Sequence, residues 1–122
     1  MKYMLDTNIC VYLLNGNPAL EKRVANTGIW SIAVSNSILA ELYFGAYNSK
    51  KIDENLNRIE IFKKNLTILS DIEASAMLFG KIKADLKSEG NMIEDFDIVI
   101  AAIAVSNNRV LVTNNDKNIF HE

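Results

Sequence analysis

The 122-residue chain has only one histidine, His121, and only one cysteine, Cys10. A single histidine argues against a Ser-His-Asp triad and against hydrolysis by a histidine pair. The same scarcity argues against a zinc site built from His and Cys ligands. A lone cysteine forms no disulfide within the chain, which fits a reducing cytoplasm, and Cys10 is expected to be a small core residue. Any hydrolytic chemistry must therefore rest on carboxylates.

Long apolar runs and an excess of positive charge are also missing. The longest unbroken apolar run, from Ile98 to Val105, is too short to span a bilayer, so we expect no contact with a membrane. Asp6 and Asn8 interrupt the apolar N-terminal stretch, which argues against a signal peptide. The net charge of −2 is not the basic footprint of most nucleic-acid-binding proteins. This charge does not exclude RNA as a substrate. If the acidic residues that bind a metal ion are left out of the count, the remaining residues have a slightly positive net charge.

Short strand-like segments alternate with helix-like segments along the chain. The strand candidates are "KYML", "IWSIAVS", "LTIL" and "RVLVT". The helix candidates are "TNICVYLLN", "ALEKRVANT", "NSILAELYFGAY", "KKIDENLNRIEIFKKN", "IEASAMLFGKIKADLKS" and "DIVIAAIAVSNN", with Asp6 and Asp71 as predicted N-caps of the first and fifth. This alternation predicts one α/β domain, with a central parallel sheet that is flanked by helices.

Four acidic residues are expected at one edge of that sheet. Asp6 follows the first strand, and Asn115 and Asp116 follow the last one. Glu41 lies early in the helix after the second strand, and Asp97 opens the helix that leads into the last strand. Because a helix that enters or leaves a parallel sheet in this way begins at the carboxyl ends of the strands, these side chains should converge there.

Clustered carboxylates can be explained by metal binding or by local helix structure. Carboxylates without cationic partners repel one another and raise some of their pKa values, and a divalent cation removes that repulsion. Ligands that are all oxygen favour Mg²⁺ or Mn²⁺ over zinc. Alternatively, Asp6 is simply a helix cap, and Asp97 stabilises a helix N-terminus together with Glu94 and Asp95. The residues alone leave both interpretations open.

Four segments also resemble, in the right order, the motifs of PIN-domain ribonucleases. They are "MLDTNICVYLL", "VSNSILAELYFGA", "MIEDFDIVIAAIAV" and "RVLVTNND", and the likeness is greatest to the VapC-type toxins of type II toxin–antitoxin modules. The resemblance covers essentially the whole chain. It implies a PIN-like three-layer fold in which residues 1–122 form a single nuclease domain. Family members usually continue into a further edge strand, whereas this sequence stops at "NIFHE", so we expect a parallel sheet of four or five strands.

The resemblance also implies roles for individual residues. Asp6, Glu41 and Asp97 match the catalytic acids, and Asp6 and Asp97 match the metal ligands. The family places Asn or Asp two residues after the threonine of the last strand, which is Asn115 here. The adjacent Asp116 is the alternative source of the fourth carboxylate.

Further polar residues are candidates for hydrogen bonds that support the catalytic acids. They are Asn8, Ser37, Thr113 and Asn115.

The implied function is that of a metal-dependent endoribonuclease toxin that cleaves RNA, such as tRNA or ribosomal RNA, with Mg²⁺ or Mn²⁺. The implied partners are a small antitoxin protein and a second copy of the chain, in the cytoplasm. We expect an amphipathic antitoxin segment to bind in a groove at Tyr12, Leu13, Ile59 and Phe62.

Two other classes of function remain as alternatives. An aspartyl-phosphate-type phosphotransfer enzyme also has an aspartate after its first strand, but it favours a second acid two residues later, where this chain has Asn8. A non-catalytic, receiver-like interaction domain would leave the clustered acids unexplained. A metal-dependent nuclease assay separates these alternatives from the ribonuclease.

Overall fold

The computed structural model describes residues 2–113, in which four strands alternate with six helices. The strands are β1 (Tyr3–Leu5), β2 (Ile32–Ser35), β3 (Thr67–Leu69) and β4 (Val110–Val112). The helices are α1 (Thr7–Leu14), α2 (Pro18–Thr27), α3 (Asn36–Tyr47), α4 (Ile52–Lys63), α5 (Glu73–Ser88) and α6 (Asp95–Ser106). The predicted order of elements is confirmed throughout this part of the chain.

The first three residues of the predicted strand "IWSIAVS" are not part of the sheet. Residues 29–31 form a 3₁₀ turn, and the strand begins only at Ile32. The cause is the end of α2, where Gly28 has a φ of 96° and its carbonyl accepts a hydrogen bond from the Ser31 N–H at 3.0 Å. The chain therefore has to turn before it can enter the sheet.

The prediction that Asp71 caps α5 is wrong. The N-cap position is occupied by Ile72, whose backbone N–H donates to Ser75 Oγ at 2.9 Å. The Ser75 hydroxyl in turn donates to the Ile72 carbonyl at 2.7 Å. The helix thus begins without a side-chain cap, and Ser75 in its first turn bonds back to the backbone of Ile72.

The four strands form one parallel sheet in the order β3-β2-β1-β4. The chain first builds the sheet outward from β1 to β3 and then returns to place β4 on the other side of β1. The carboxyl ends of β1 and β4 therefore flank the switch point, where α/β sheets open a crevice for ligands. The Asp6 N–H donates to the Val112 carbonyl at 3.1 Å, which fixes the chain at this edge.

The core lies around β2 and α6. Every residue of β2 is buried, and α6 buries residues on all of its sides, as its apolar sequence predicted. α5 packs against α6, whereas α1, α2, α3 and α4 pack against one another. These helices flank the sheet and confirm the predicted α/β class. Within the described residues, no helix is both long and apolar enough to cross a membrane.

Candidate active site

A cavity of about 250 Å³, which we call the acidic cavity, lies at the carboxyl ends of β1 and β4. Its polar lining residues are Asp6, Thr7, Asn8, Glu41, Glu94 and Asp97, and its apolar ones are Phe96, Ile100 and Leu111. The structure thus brings together three of the four acids that the sequence singled out. The fourth, Asp116, and its alternative, Asn115, lie outside the described residues.

Asp6 both caps a helix and lines the cavity. Its Oδ1 accepts a hydrogen bond from the Ile9 N–H at 3.0 Å, so it is the N-cap of α1. Within residues 2–113, this cap bond is the one side-chain hydrogen bond of Asp6, and it leaves Oδ2 without a partner. The two interpretations of Asp6 are therefore compatible: one oxygen holds the helix, and the other is available to a ligand.

Asp97 lies in the first turn of α6, where it is half-buried. Burial raises the pKa of its carboxyl group above the ordinary value, and the negative charges of Glu94 and Asp6 raise it further. Burial is therefore the main cause of the raised pKa of Asp97, and repulsion between the acids comes second. Asp97 is close enough to Asp6 for their charges to interact.

Glu94 is an acid of the cavity that the sequence interpretation missed. It was considered only as a residue of the helix N-terminus, and it is indeed the N-cap residue of α6. The spacing in the sequence could have identified it. Glu94 is three residues before Asp97, and residues three apart at the start of a helix lie on the same face. Its backbone carbonyl accepts a hydrogen bond from the Asp97 N–H at 3.0 Å.

Glu41 lies on α3 and is exposed at the acidic cavity. Its neighbour Leu42 turns into the core instead, at 5% exposure. No ion pair joins Glu41 to any cation within residues 2–113.

The predicted supporting residues are only partly brought to this site. Asn8 lines the cavity, and Thr113 directly follows β4 at the same edge of the sheet. Ser37 is not among the described lining residues. The serine with a clear structural role nearby is Ser35, whose fully buried Oγ accepts a hydrogen bond from the Ile38 N–H at 3.1 Å and caps α3.

Thr7 contributes a polar atom that the sequence interpretation did not consider. Its Oγ1 is buried and has no hydrogen-bond partner among residues 2–113. An unsatisfied buried hydroxyl costs about 1–3 kcal/mol, so folded chains rarely keep one without a use. Thr7 lines the acidic cavity beside Asp6 and Asn8, although its Oγ1 atom is not exposed to solvent.

The donor atoms of the cavity suit one kind of metal site. In the part of the chain that the structure describes, no three Asp, Glu, His or Cys side chains are placed to hold an ion by themselves. A closed zinc site needs four such ligands, whereas Mg²⁺ usually keeps several waters and uses one or two carboxylates plus substrate phosphates. At roughly 30 Å³ per water, the cavity has room for a hydrated ion and a phosphate group.

Cys10 is not a ligand for such an ion. It is fully buried, and burial together with the charge of Asp6 raises the pKa of its thiol. The thiol is therefore neutral at physiological pH, as expected for a small core residue.

Several known proteins resemble this chain in sequence and in fold. The sequence model of the PIN-domain family matches residues 3–122. Ribonuclease VapC2 of Haemophilus influenzae is 42% identical over 94% of this chain and 87% of its own length. The tRNA(fMet)-specific endonuclease VapC of Shigella flexneri is 35% identical over 96% of this chain and 89% of its own. A chain in the crystal structure of DNA-bound VapBC from Salmonella typhimurium superposes with a TM-score of 0.91 at 31% identity, covering 100% of this chain and 96% of that one.

Proposed function

Because this chain belongs to the PIN-domain family, with VapC ribonucleases among its relatives, we propose that it is a metal-dependent endoribonuclease. Residues 1–122 act as a single nuclease domain. The observation that carries the proposal is the pairing of Asp6 with Asp97 in one cavity that also holds Glu41 and Glu94. The phosphotransfer alternative is less well supported, since Asn8 supplies no second acid next to Asp6.

Asp6 and Asp97 are the proposed ligands of an Mg²⁺ or Mn²⁺ ion. The cap bond of Asp6 fixes one carboxylate oxygen and leaves the other free for the metal. A divalent cation here supplies Lewis acidity toward the scissile phosphate and toward water. It would also stabilise the charged form of Asp97, whose pKa is raised by burial and by the negative charges of Glu94 and Asp6.

The remaining polar groups orient the reactants. Glu41, exposed at the cavity and without a cationic partner in the described chain, accepts a hydrogen bond from the attacking water and takes up its proton. Asp116 is a second candidate for this role.

Two relatives suggest the substrate. The relatives from Shigella flexneri and Salmonella typhimurium are named as endonucleases specific for tRNA(fMet), at 35% and 33% identity. We therefore propose a structured RNA of the tRNA or ribosomal class, cut where unpaired bases are accessible. We also propose that cleavage occurs in the cytoplasm, where such RNA is found.

The chain also has a surface that suits an antitoxin segment. A mainly apolar cavity of about 300 Å³ is lined by Leu13 and Phe62, two of the four residues predicted for a groove. Tyr12 is 42% exposed on the same helix as Leu13. Ile59 was predicted wrongly as a groove residue, since it is only 2% exposed and belongs to the core. We propose that this toxin forms hetero-oligomers with its antitoxin, in addition to homodimers.

A cleavage assay on bulk tRNA with Mg²⁺, Mn²⁺ or EDTA tests the proposed activity. We expect cleavage with either metal and none in EDTA. Asp97→Asn should reduce the rate by about a thousandfold or more, because a catalytic metal centre supplies several kcal/mol and each 1.36 kcal/mol is a factor of ten. The matched control is Asp85→Asn, since Asp85 is an exposed residue of α5 that pairs with Lys81 at 2.8 Å.

Three results would contradict the proposal. Cleavage that continues in EDTA would exclude a metal-dependent reaction. Parental activity in the Asp97→Asn variant would remove Asp97 from the site. Normal growth of cells that express the chain without any antitoxin, together with no RNA cleavage by the pure protein, would end the toxin interpretation.

A further inference from the structure

A second cavity of about 220 Å³, which we call the side cavity, adjoins the acidic cavity. It lies between α1, α3 and α4, and the two cavities share Thr7 and Glu41 as lining residues. Val11, Leu14 and Leu42 line the apolar part of the side cavity. Anything that extends from the acidic cavity past Glu41 therefore meets these side chains.

The polar part of the side cavity contains Arg58 of α4, whose guanidinium bonds to both α1 and α4. Its Nη2 donates to the Leu14 carbonyl at 2.6 Å, and its Nη1 donates to Asn55 Oδ1 at 3.3 Å. A guanidinium group has five N–H donors, so these two bonds leave three for a ligand. Within residues 2–113, the ion pairs between side chains involve lysines only, and Arg58 has no carboxylate partner.

The two cavities differ in the charge that they present to a nucleic-acid strand: the acidic cavity is negative, whereas the side cavity contains a positively charged arginine. The carboxylates of the acidic cavity repel phosphate and need a cation before they can accept the scissile group. Among the described residues that line either cavity, Arg58 is the one fixed cation. A phosphate that flanks the scissile group would find there the planar donor group that binds phosphate best.

We propose that the side cavity is an RNA subsite for the nucleotides next to the scissile phosphate. This inference rests on the proposed ribonuclease activity. Arg58 binds a flanking phosphate, and Val11, Leu14 and Leu42 contact the ribose or base of the same nucleotide. RNA is favoured over a peptide because the cavity continues directly into the site where RNA is cleaved and contributes a positive charge there.

Steady-state kinetics on bulk tRNA with Mn²⁺ test the subsite through Arg58→Gln. The expected result is a KM about tenfold higher, because a charge-assisted contact to phosphate is lost. The kcat should stay within about twofold, since the catalytic acids are untouched. The slope of log(kcat/KM) against log[salt] should become shallower by about 0.7–0.9, the value of one phosphate contact.

Two further variants separate charge from structure. Arg58→Lys keeps the positive charge and should recover part of the KM. Asn15→Asp places a negative charge in the side cavity without removing either hydrogen bond of Arg58, and it should also raise KM. The matched controls are Arg23→Gln on α2 and Asn57→Asp on α4, because neither residue lines the two cavities. Both controls should behave like the parent.

The outcomes distinguish this inference from the proposed function. If the parent cleaves tRNA and both Arg58→Gln and Asn15→Asp keep its KM and salt dependence, the subsite is wrong and the ribonuclease stands. If the Arg58 variants lower kcat and the thermal unfolding temperature together, and Asn15→Asp has no effect, Arg58 only clamps α4 to α1 and the inference is overturned. An effect of these variants on antitoxin binding alone would also overturn it. A parent that does not cleave RNA contradicts the proposed function itself.

Discussion

The polar groups at the two ends of the parallel sheet differ in whether they have partners of opposite polarity. At the amino ends, the Arg109 guanidinium donates to the Tyr3 and Ser31 carbonyls at 3.2 and 3.4 Å. At the carboxyl ends, Asp6 and Asp97 share a cavity with further acids, and Thr7 Oγ1 lacks a partner within residues 2–113. Both ends belong to the same strands, so the difference lies in the side chains that follow or precede them.

This contrast separates residues that stabilise the fold from residues that act on a ligand. At the amino ends, a cation satisfies backbone carbonyls, and the Val110 N–H donates to the Lys2 carbonyl at 2.9 Å. At the carboxyl ends, like charges oppose folding, which a chain tolerates where function requires it. Each prediction below changes a residue at one of the two ends.

The largest expected effect is metal-dependent stabilisation of the carboxyl end. Mn²⁺ at a hundredfold excess over its Kd should increase the free energy of unfolding of the parent by about 2.7 kcal/mol. Asp6→Asn should gain much less, because it loses a ligand, and it should be at least as stable as the parent in EDTA, since Asn caps helices as well as Asp. Thermal unfolding with EDTA and with Mn²⁺ measures both.

The control for this experiment is Asp85→Asn, which should gain as much stability from Mn²⁺ as the parent does. Equal gains in the parent and in Asp6→Asn would remove Asp6 from the metal site. No gain in any of the three proteins would mean that Asp6 serves only as a helix cap.

A smaller effect is expected at the amino ends. Arg109→Met should lower the free energy of unfolding by about 1.5 kcal/mol, the low end for hydrogen bonds to charged groups, because both bonds are long. Cleavage per folded molecule should not change. Chemical denaturation measures the loss, and Lys2→Met, an exposed residue at the same edge, is the control. A variant with parental stability but reduced cleavage would show that the amino ends also serve function.

The smallest effect is a pH dependence that comes from Asp97. Its pKa is raised above the ordinary 3.8 in the folded chain, so the folded state binds this proton more readily than the unfolded state does. The free energy of unfolding of the metal-free parent should therefore decrease as the pH rises from about 4 through the raised pKa. Asp97→Asn should lack this decrease.

Denaturation curves of the parent and Asp97→Asn in EDTA, across that pH range, measure the difference between them. The variant should become the more stable of the two as the pH rises. A difference that is constant with pH, or that changes in favour of the parent, would mean that the Asp97 carboxyl is not strained by burial and by its acidic neighbours.

The sequence by itself determined the order of strands and helices and which acids follow them. These features depend on neighbours in the chain: Asp6 caps α1 through the Ile9 N–H three residues away, and α6 is apolar on all sides. Parallel strands then place Asp6 and Asp97 at one edge, because helices that connect such strands begin there. Within the described residues, Asp6, Glu41 and Asp97 accordingly line one cavity, whereas the predicted supporting residue Ser37 does not.

Only the tertiary structure decided which side chains share a surface with those acids. The placement of β4 beside β1 depends on pairing between residues about a hundred positions apart, and it brings the start of α6, with Glu94, to the Asp6 cavity. Packing of α1, α3 and α4 leaves Glu41 exposed and places it on the same side cavity as Arg58, without an ion pair between the two. It also buries the Thr7 hydroxyl. No local pattern specifies these contacts, because burial depends on the elements that pack above a residue rather than on its neighbours in sequence.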